Sequence, residues 1–294
     1  MVDPPSQQTS EDEVAQDAPE RLRRAETVLA HRTSRIVLVL EQCIDSHNHQ
    51  AVLRTAEALG IQHVWLIAAN NQQLKTHPDK NTKNRKKSKS SGKKITKNCA
   101  VWLSVREFSS IADCLQALHE NEMTIWATDL SPQAEPLVAN DKPKELPTHL
   151  AVVIGREIDG VSPEMLRAAH RRVYLPLFGF SESLNLSVAT ALVLQRLLDW
   201  FPEVRGDLSE QEKQNIRKKW LPQLVSNPTQ EAQADPWTSG RVPIRPLTDL
   251  RREKHEAWVP KSVWRREQDM PEVKERLGKR KRPEVDSLSD KTKS

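Results

Sequence analysis

Three short segments of the chain combine amide, carboxylate, hydroxyl and guanidinium side chains that could hold a polar substrate. The residues in question are Asn48 and Arg54 in the first segment, Glu157 in the second, and Ser183 and Asn185 in the third. Groups of these types can orient a bound ligand and stabilise charge that develops during a reaction. Taken singly, each has a plainer interpretation, since a lone arginine on a helix is usually a surface charge.

Three of the eight glycines, Gly155, Gly160 and Gly179, fall within or beside the second and third segments. A glycine allows the backbone to approach a ligand closely, but it also serves in ordinary turns. Spacing alone does not separate these two interpretations.

Continuous apolar runs predict the strands that position the three segments, and such runs are typical of parallel strands covered on both faces. The runs are 35–40, 63–68, 101–105, 123–128, 150–154 and 173–177. Helical patterns alternate with these runs, which predicts an α/β fold with an open, mainly parallel sheet. The polar segments then lie where strands end and helices begin, the usual place for ligands in such folds.

Capping residues predict where several helices begin. Asn48 is expected to cap a helix that runs to Leu59 and stops at Gly60. Ser162, followed by a proline at the first helical position, is expected to open another helix. The apolar residues that follow Leu184 occur on nearly every side, which predicts a helix buried all round in its first turns.

Composition divides the chain into a folded part and polar ends. Only 37% of the residues are apolar and 29% are charged, and the mean hydropathy is −0.66. We expect an acidic, disordered segment with a short helix over 1–32, a domain over 33–200, a helical extension over 201–225 and a basic tail over 226–294. In the extension, Ser209 begins a capping box, and Pro222 is expected to end or kink that helix.

The stretch from Lys75 to Lys97 holds ten basic residues against Asp79 alone. It lies in a predicted inserted loop, 71–98. An anionic partner such as nucleic acid is one interpretation, with Lys86 and Lys87 as candidate contacts; a solvated loop is the other.

The three cysteines, Cys43, Cys99 and Cys114, show no Cys-x-x-Cys spacing, so a disulfide framework and a zinc ribbon are disfavoured. Cys43 with His47 and His49 would supply three metal ligands but no fourth, and we expect no metal. No apolar run approaches the length of a membrane span, and the N-terminus lacks the apolar region of a secretory signal.

In this order, the three segments resemble the motifs of the SpoU/TrmH family of S-adenosylmethionine-dependent RNA 2′-O-ribose methyltransferases, within the SPOUT superfamily. The segment Asn48–Ala56 resembles the first motif, Gly155 through Gly160 the second, and Leu175 through Asn185 the third. The resemblance covers about residues 33–200. The capping-box helix with Trp220 is similar to the C-terminal extension of the TrmH branch.

The resemblance implies a SPOUT-type sheet with a C-terminal trefoil knot, a homodimer and S-adenosyl-L-methionine as the cofactor. It implies catalytic roles for Arg54, Asn48, Glu157 and Asn185. The residues that it implies for the cofactor pocket are Thr128, Gly155, Leu175, Ser183 and Leu184.

The implied substrate is RNA, with a D-loop guanosine of tRNA as the favoured target and no membrane partner. The chain departs from the TrmH branch after the third motif, where Asp199, Trp200 and Phe201 replace further arginines; Arg196 is the nearest RNA-contact candidate. Ribosomal RNA is therefore the alternative substrate, and an inactive RNA-binding homologue is the alternative role. The expected location is cytoplasmic, with Lys279–Arg282 as an alternative nuclear signal.

Overall fold

The computed structural model describes residues 17–43, 45–68, 99–157, 159–225 and 234–247. The strands are β1 Thr33–Glu41, β2 Ile61–Ile67, β3 Ser104–Phe108, β4 Thr124–Thr128, β5 Glu135–Pro136, β6 Leu150–Ile154 and β7 Arg171–Tyr174. The helices are α1 Glu20–Leu29, α2 Ser46–Leu59, α3 Ile111–Glu120, α4 Pro163–Ala168, α5 Leu186–Trp200 and α6 Glu210–Leu224, with 3₁₀ turns at Ala100–Trp102 and Pro202–Val204.

The strands form one sheet in the order β3-β2-β1-β6-β4-β7-β5, and every neighbouring pair is parallel. The α/β fold with an open parallel sheet is therefore as predicted. Because the strands are parallel, the loops that leave β1, β6 and β7 emerge at the same edge of the sheet. The trefoil knot stays a prediction from the resemblance.

Apolar cores cover both faces of the sheet. On one face, α2 and α5 pack on alternate residues of the central strands, including Leu38, Leu40 and Val152. On the other face, α3 and α4 cover Val39 and Val153. Because both faces are buried, the sequences of the central strands are continuous apolar runs.

The ends of α2 follow from local chemistry. The helix starts at Ser46, and the carboxylate of Asp45 accepts hydrogen bonds from the backbone N–H groups of His47 and Asn48. The prediction that Asn48 caps this helix is therefore wrong, because Asp45 fills the role and leaves the Asn48 side chain free for other contacts. Gly60 ends the helix in the left-handed region, with a φ of 87°, as predicted.

Three element assignments differ from the sequence-based expectation. A 3₁₀ turn replaces the start of the strand predicted over 101–105, and the strand runs from Ser104 to Phe108 instead. The edge strand β5 was missed because it has two residues, one of them a proline without an N–H. The strand predicted over 173–177 runs from Arg171 to Tyr174 instead. Pro222 lies inside α6, which ends two residues later at Leu224, close to the predicted end.

The helical extension packs on α1 through ionic and apolar contacts. The buried carboxylate of Glu26 accepts two hydrogen bonds from Arg217, at 2.8 and 2.9 Å. The fully buried Arg32 donates to the Glu57 carboxylate at 2.8 Å and lies over the Trp220 ring. Part of the predicted tail joins this region, since Ala234 is buried with Leu22 and Leu221.

Within the described residues, no helix is both long enough and apolar enough to cross a membrane.

Candidate functional site

Side chains from all three polar segments meet in one hydrogen-bonded cluster, Asn48–Glu157–Asn185. The Asn48 side-chain amide donates to the Glu157 carboxylate at 3.1 Å, and the Asn185 amide donates to the Asn48 carbonyl oxygen at 3.0 Å. These residues are 109 and 137 positions apart in the chain. All three lie in the exposed or half-exposed rim where β1, β6 and β7 end.

Helix starts hold two of these side chains in place. Asn185 caps α5, and its side-chain oxygen accepts from the backbone N–H and the hydroxyl of Ser187. Its amide group is thereby turned toward Asn48, which lies in the first turn of α2. Each asparagine uses its oxygen and its nitrogen for different partners, so the cluster has a defined orientation.

The second segment folds back on itself directly after β6. The backbone groups of Arg156 and Gly160 exchange hydrogen bonds at 2.9 and 3.2 Å. A Cβ on Gly155 would lie 2.2 Å from the backbone of Gly160 and Val161, whereas Gly160 has open space but a φ of 69°. The chain's own turn therefore explains both glycines.

Gly179 differs from the other two glycines, because a Cβ there would meet no atom within 4 Å. Its φ does not lie in the left-handed region. Gly179 lies in an exposed bend, so both interpretations, an ordinary turn and close approach of a ligand, apply to it.

A buried carboxylate anchors the end of the second segment. Glu41, the last residue of β1, is fully buried and accepts hydrogen bonds at 3.2 Å from the backbone N–H and hydroxyl of Ser162. Burial raises the pKa of Glu41, and the hydrogen bonds from Ser162 oppose that rise. Ser162 in turn caps α4, as predicted. Glu41 thus ties the end of β1 to the start of α4.

The Cys43 thiol also contacts the cluster. It donates to Glu157 Oε1 at 3.3 Å, so that this oxygen accepts from both Cys43 and Asn48. Burial, together with the Glu157 charge, raises the pKa of Cys43 well above its usual range. The thiol is therefore a hydrogen-bond donor here and not a thiolate nucleophile.

The third segment offers unpaired backbone to a ligand. Among the described residues, no backbone hydrogen bond is donated between Leu175 and Leu184. The stretch from Leu177 to Ser183 is exposed, while Leu175 and Leu184 are half-buried and Leu175 packs against the core. Exposed, unpaired N–H and C=O groups beside an apolar side chain suit a cofactor held mainly by the main chain.

Thr128, at the end of β4, lies next to this stretch because Thr128 pairs with Val173 of β7. Its hydroxyl donates to the carbonyl oxygen of Val153 at 3.1 Å. The Thr128 hydroxyl is thus already used, and its backbone is the part that a ligand would meet.

The cationic candidates lie outside the cluster. Arg54 is exposed on α2 and makes no hydrogen bond or ion pair within the described part of the chain. Its charge lowers the pKa of Cys99 against the larger effect of burial, which places the guanidinium near that thiol. Arg196 is half-buried on α5. Lys86 and Lys87 lie outside the described residues.

Helix α5 has an exposed apolar stripe, so the prediction of burial on all sides is wrong. Val188 and Leu192 are 45% and 46% exposed. Phe178 and Phe180, in the preceding loop, are almost wholly exposed. Within the described residues, this apolar surface beside the site therefore has no covering layer.

The structure gives Cys43, His47 and His49 no metal-binding geometry. No group of three or more His, Cys, Asp or Glu residues in the described ranges could hold a metal ion. Burial lowers the pKa of His49.

Comparisons with known proteins agree with this geometry. The model of the SpoU rRNA Methylase family matches residues 35–195. The chain belongs to the SpoU methylase family. A curated relative from Borreliella burgdorferi, named tRNA (guanosine(18)-2'-O)-methyltransferase, is 32% identical over 71% of this chain and 87% of its own length. An Aquifex aeolicus protein of the same name is 29% identical over 68% of this chain and 88% of its own.

A solved structure shows the same fold. The TrmH/SpoU tRNA modifying enzyme of A. aeolicus aligns with a TM-score of 0.54 and 27% identity, over 70% of this chain and 98% of that one. Membership of the SpoU methylase family, inferred from the three motifs, is thereby confirmed.

Sequence reasoning missed Asp45 and Glu41. The local signal for Asp45 is its type and place, since it is a strong capping residue directly before the helix start. The signal for Glu41 is a carboxylate at the end of an apolar strand run. Its partner, Ser162, lies 121 residues away, and no local pattern could have supplied it.

Proposed function

We propose that this chain methylates the 2′-hydroxyl of a guanosine in tRNA, using S-adenosyl-L-methionine. The observation that supports this most directly is the Asn48–Glu157–Asn185 cluster, in which the three family motifs meet through hydrogen bonds of 3.1 and 3.0 Å. The names of the relatives from B. burgdorferi and A. aeolicus favour guanosine and tRNA as the target.

The cofactor would lie against the unpaired backbone between Leu175 and Leu184, with Gly155 and Thr128 at its edge. S-adenosyl-L-methionine supplies an activated methyl group on a sulfonium. The open space at Gly179 allows close contact with the main chain there. Ser183 lies exposed beside Asn185 and is a further candidate contact. Glu157 and Asn185 would shape the wall between the cofactor and the ribose.

Arg54 would hold the phosphate beside the target ribose. A guanidinium stays protonated in proteins and cannot act as the base, but its fork can bind two phosphate oxygens and stabilise negative charge on the ribose oxygen. A phosphate or a water molecule then takes the hydroxyl proton. The exposed Arg54 side chain, with no partner in the described part of its own chain, suits such a role.

Two copies of the chain would complete the site. Val188 and Leu192, exposed on α5 beside the cluster, form a surface that a second copy can cover. In such a homodimer Arg54 would serve the neighbouring site, since within one chain it does not join the cluster. We place the reaction in the cytoplasm.

Ribosomal RNA is the second candidate substrate. The departure at Asp199, Trp200 and Phe201 favours it, because arginines that would contact tRNA are absent there. The name of the SpoU rRNA Methylase family also refers to rRNA.

Methyl transfer to defined RNAs tests the proposal. Purified protein with labelled S-adenosyl-L-methionine should modify a tRNA transcript with a D-loop guanosine, but not the same transcript carrying a 2′-deoxy nucleotide at that position. Arg54→Lys keeps the charge but loses the fork, so we expect turnover to fall by about tenfold or more. Modification of ribosomal fragments in place of tRNA would favour the second candidate. Transfer to no RNA, with intact cofactor binding, would contradict the proposal.

A further inference from the structure

A cavity of about 190 Å³ lies next to the Asn48–Glu157–Asn185 cluster. Among the described residues, four apolar residues line it, Leu40, Leu66, Ile67 and Ala68. Three residues with polar side-chain groups complete the lining, Cys43, His49 and Glu107. The volume is below the roughly 300–1,000 Å³ of pockets for drug-sized ligands. It therefore suits a single flat ring system.

The cavity lies at the ligand-binding edge of the sheet. Leu40 and Ile67 are at the carboxyl ends of β1 and β2, and Glu107 stands beside Leu66 in the neighbouring strand β3. His49 comes from the first turn of α2. Parallel α/β sheets bind ligands at this edge, where strand ends and helix starts leave a crevice.

Cys43 connects the cavity to the candidate active site. Its side chain lines the cavity, and its thiol donates to Glu157 Oε1 at 3.3 Å. His49 follows Asn48, whose amide donates to the same oxygen. A nucleotide with its ribose at the cluster would therefore have this cavity within reach of its base.

Two of the groups that line the cavity, Glu107 and His49, have complementary hydrogen-bonding capacities. The exposed Glu107 carboxylate only accepts hydrogen bonds, whereas a neutral His49 ring can donate one. Burial lowers the pKa of His49, and the nearby Glu107 charge opposes this change. A ligand that presents N–H donors next to a carbonyl oxygen satisfies both groups.

We infer that this cavity binds the guanine base of the nucleotide whose ribose is methylated, with Glu107 and His49 as the residues that select it. The inference rests on the proposed function. Guanine presents N1–H and an amino group to the carboxylate, and its O6 can accept from the His49 ring. Adenine presents an unprotonated N1 and an amino group at C6, so its N1 would face the carboxylate and repel it. Unstacked bases in RNA are commonly read on this Watson–Crick edge.

The first experiment measures methyl transfer to transcripts that differ only in the target nucleoside, which is guanosine, inosine or adenosine. Wild-type protein should accept guanine and inosine, which share N1–H and O6, over adenine. Glu107→Gln offers both an acceptor and a donor, so we expect the preference for guanine over adenine in kcat/KM to fall by about tenfold or more. Glu145→Gln, which neutralises another exposed carboxylate, should leave that preference unchanged.

The second experiment measures binding without transfer. Guanosine 5′-monophosphate and adenosine 5′-monophosphate are compared by saturation-transfer NMR on the full chain and on Glu107→Gln and His49→Ala. Preferential binding of the guanine nucleotide that both variants weaken supports the base pocket, even if no RNA is methylated and the proposed function fails. Normal methylation of guanosine with an unchanged base preference in Glu107→Gln would overturn the pocket and leave the proposed function intact.

Discussion

Two glycines in the second segment are required for opposite reasons. Gly155 has no room for a Cβ, whereas Gly160 has room but a φ of 69° that L-residues rarely adopt. The first constraint is steric and fixes the shape of the 155–161 turn. The second costs only conformational energy, about 1–2 kcal/mol for an alanine.

Gly155→Ala should therefore disturb the turn more than Gly160→Ala. A Cβ 2.2 Å from the Gly160 backbone forces the turn to shift, and we expect the affinity for S-adenosyl-L-methionine to drop by about tenfold or more. Gly160→Ala serves as the matched control and should lower the melting temperature modestly with near-normal affinity. Titration calorimetry and thermal unfolding of both variants measure this. Equal affinities in the two variants would contradict the steric argument.

Glu157 accepts two hydrogen bonds at one oxygen, from Cys43 and from Asn48. Glu157→Gln keeps an oxygen acceptor but removes the charge, so the fold and cofactor affinity should persist. If the charge helps to align the ribose, we expect kcat to fall by about tenfold or more, with a smaller change in KM. Steady-state kinetics with tRNA measure this. Glu145→Gln, which neutralises an exposed carboxylate outside the cluster, is the control and should keep the wild-type kcat. Unchanged kcat in Glu157→Gln would rule out a role for the charge.

At the scale of elements, polar contacts between distant parts of the chain fix the positions of helices and strand ends relative to one another. Glu41 at the end of β1 fixes Ser162 at the start of α4, and Arg217 on α6 fixes Glu26 on α1. Each contact joins a buried carboxylate to a partner far away in the chain. Loss of the partner leaves an unsatisfied group, which costs more than the contact itself contributes.

The buried carboxylate of Glu41 predicts a pH-dependent difference between two variants. Folding raises the pKa of Glu41 above the ordinary value of 4.5, so protonation of Glu41 stabilises the folded state. This stabilisation is lost as pH rises through the folded-state pKa. Glu41→Gln mimics the protonated form, and its stability relative to wild type should rise between pH 4 and pH 7. Glu41→Ala leaves the Ser162 N–H unpaired and should lose about 1–3 kcal/mol. Urea unfolding at both pH values measures these changes, and a Gln variant with no relative gain at pH 7 would contradict the argument.

Arg217→Ala should loosen the packing of α6 on α1. The variant leaves the buried Glu26 carboxylate without its two hydrogen bonds, and we expect a loss of about 2 kcal/mol, or roughly 4–8 °C in melting temperature. Lys218→Ala removes the same charge from an exposed neighbour and should change little. Calorimetry of both proteins measures the difference, and similar melting temperatures would show that the ion pair is not needed.

At the scale of the whole molecule, two features of the described residues bear on assembly. The apolar stripe of α5 is uncovered, and Arg54 stands apart from the cluster that it is proposed to serve. A second copy would account for both. In the proposed homodimer, assembly and activity would be linked, because the second chain would supply Arg54 to the site.

Leu192→Glu tests that link, since a carboxylate in an apolar interface would be buried without a partner. We expect a monomer by light scattering, a normal fold by circular dichroism and loss of methyl transfer. Gln214→Glu adds the same charge to an exposed position of α6 and should behave like the wild type. A Leu192→Glu protein that stays dimeric and active would exclude this face as the interface.

The sequence by itself determined the α/β order, most strand positions, the start of α4 and the three polar motifs. These properties depend on local periodicity and capping, which short windows of sequence carry. Only the tertiary structure decided that Asn48, Glu157 and Asn185 share hydrogen bonds, that Asp45 and not Asn48 caps α2, and that α5 keeps an exposed stripe. Contacts across more than 100 residues depend on strand order and loop path, and burial depends on which surfaces other elements cover, neither of which a local pattern contains.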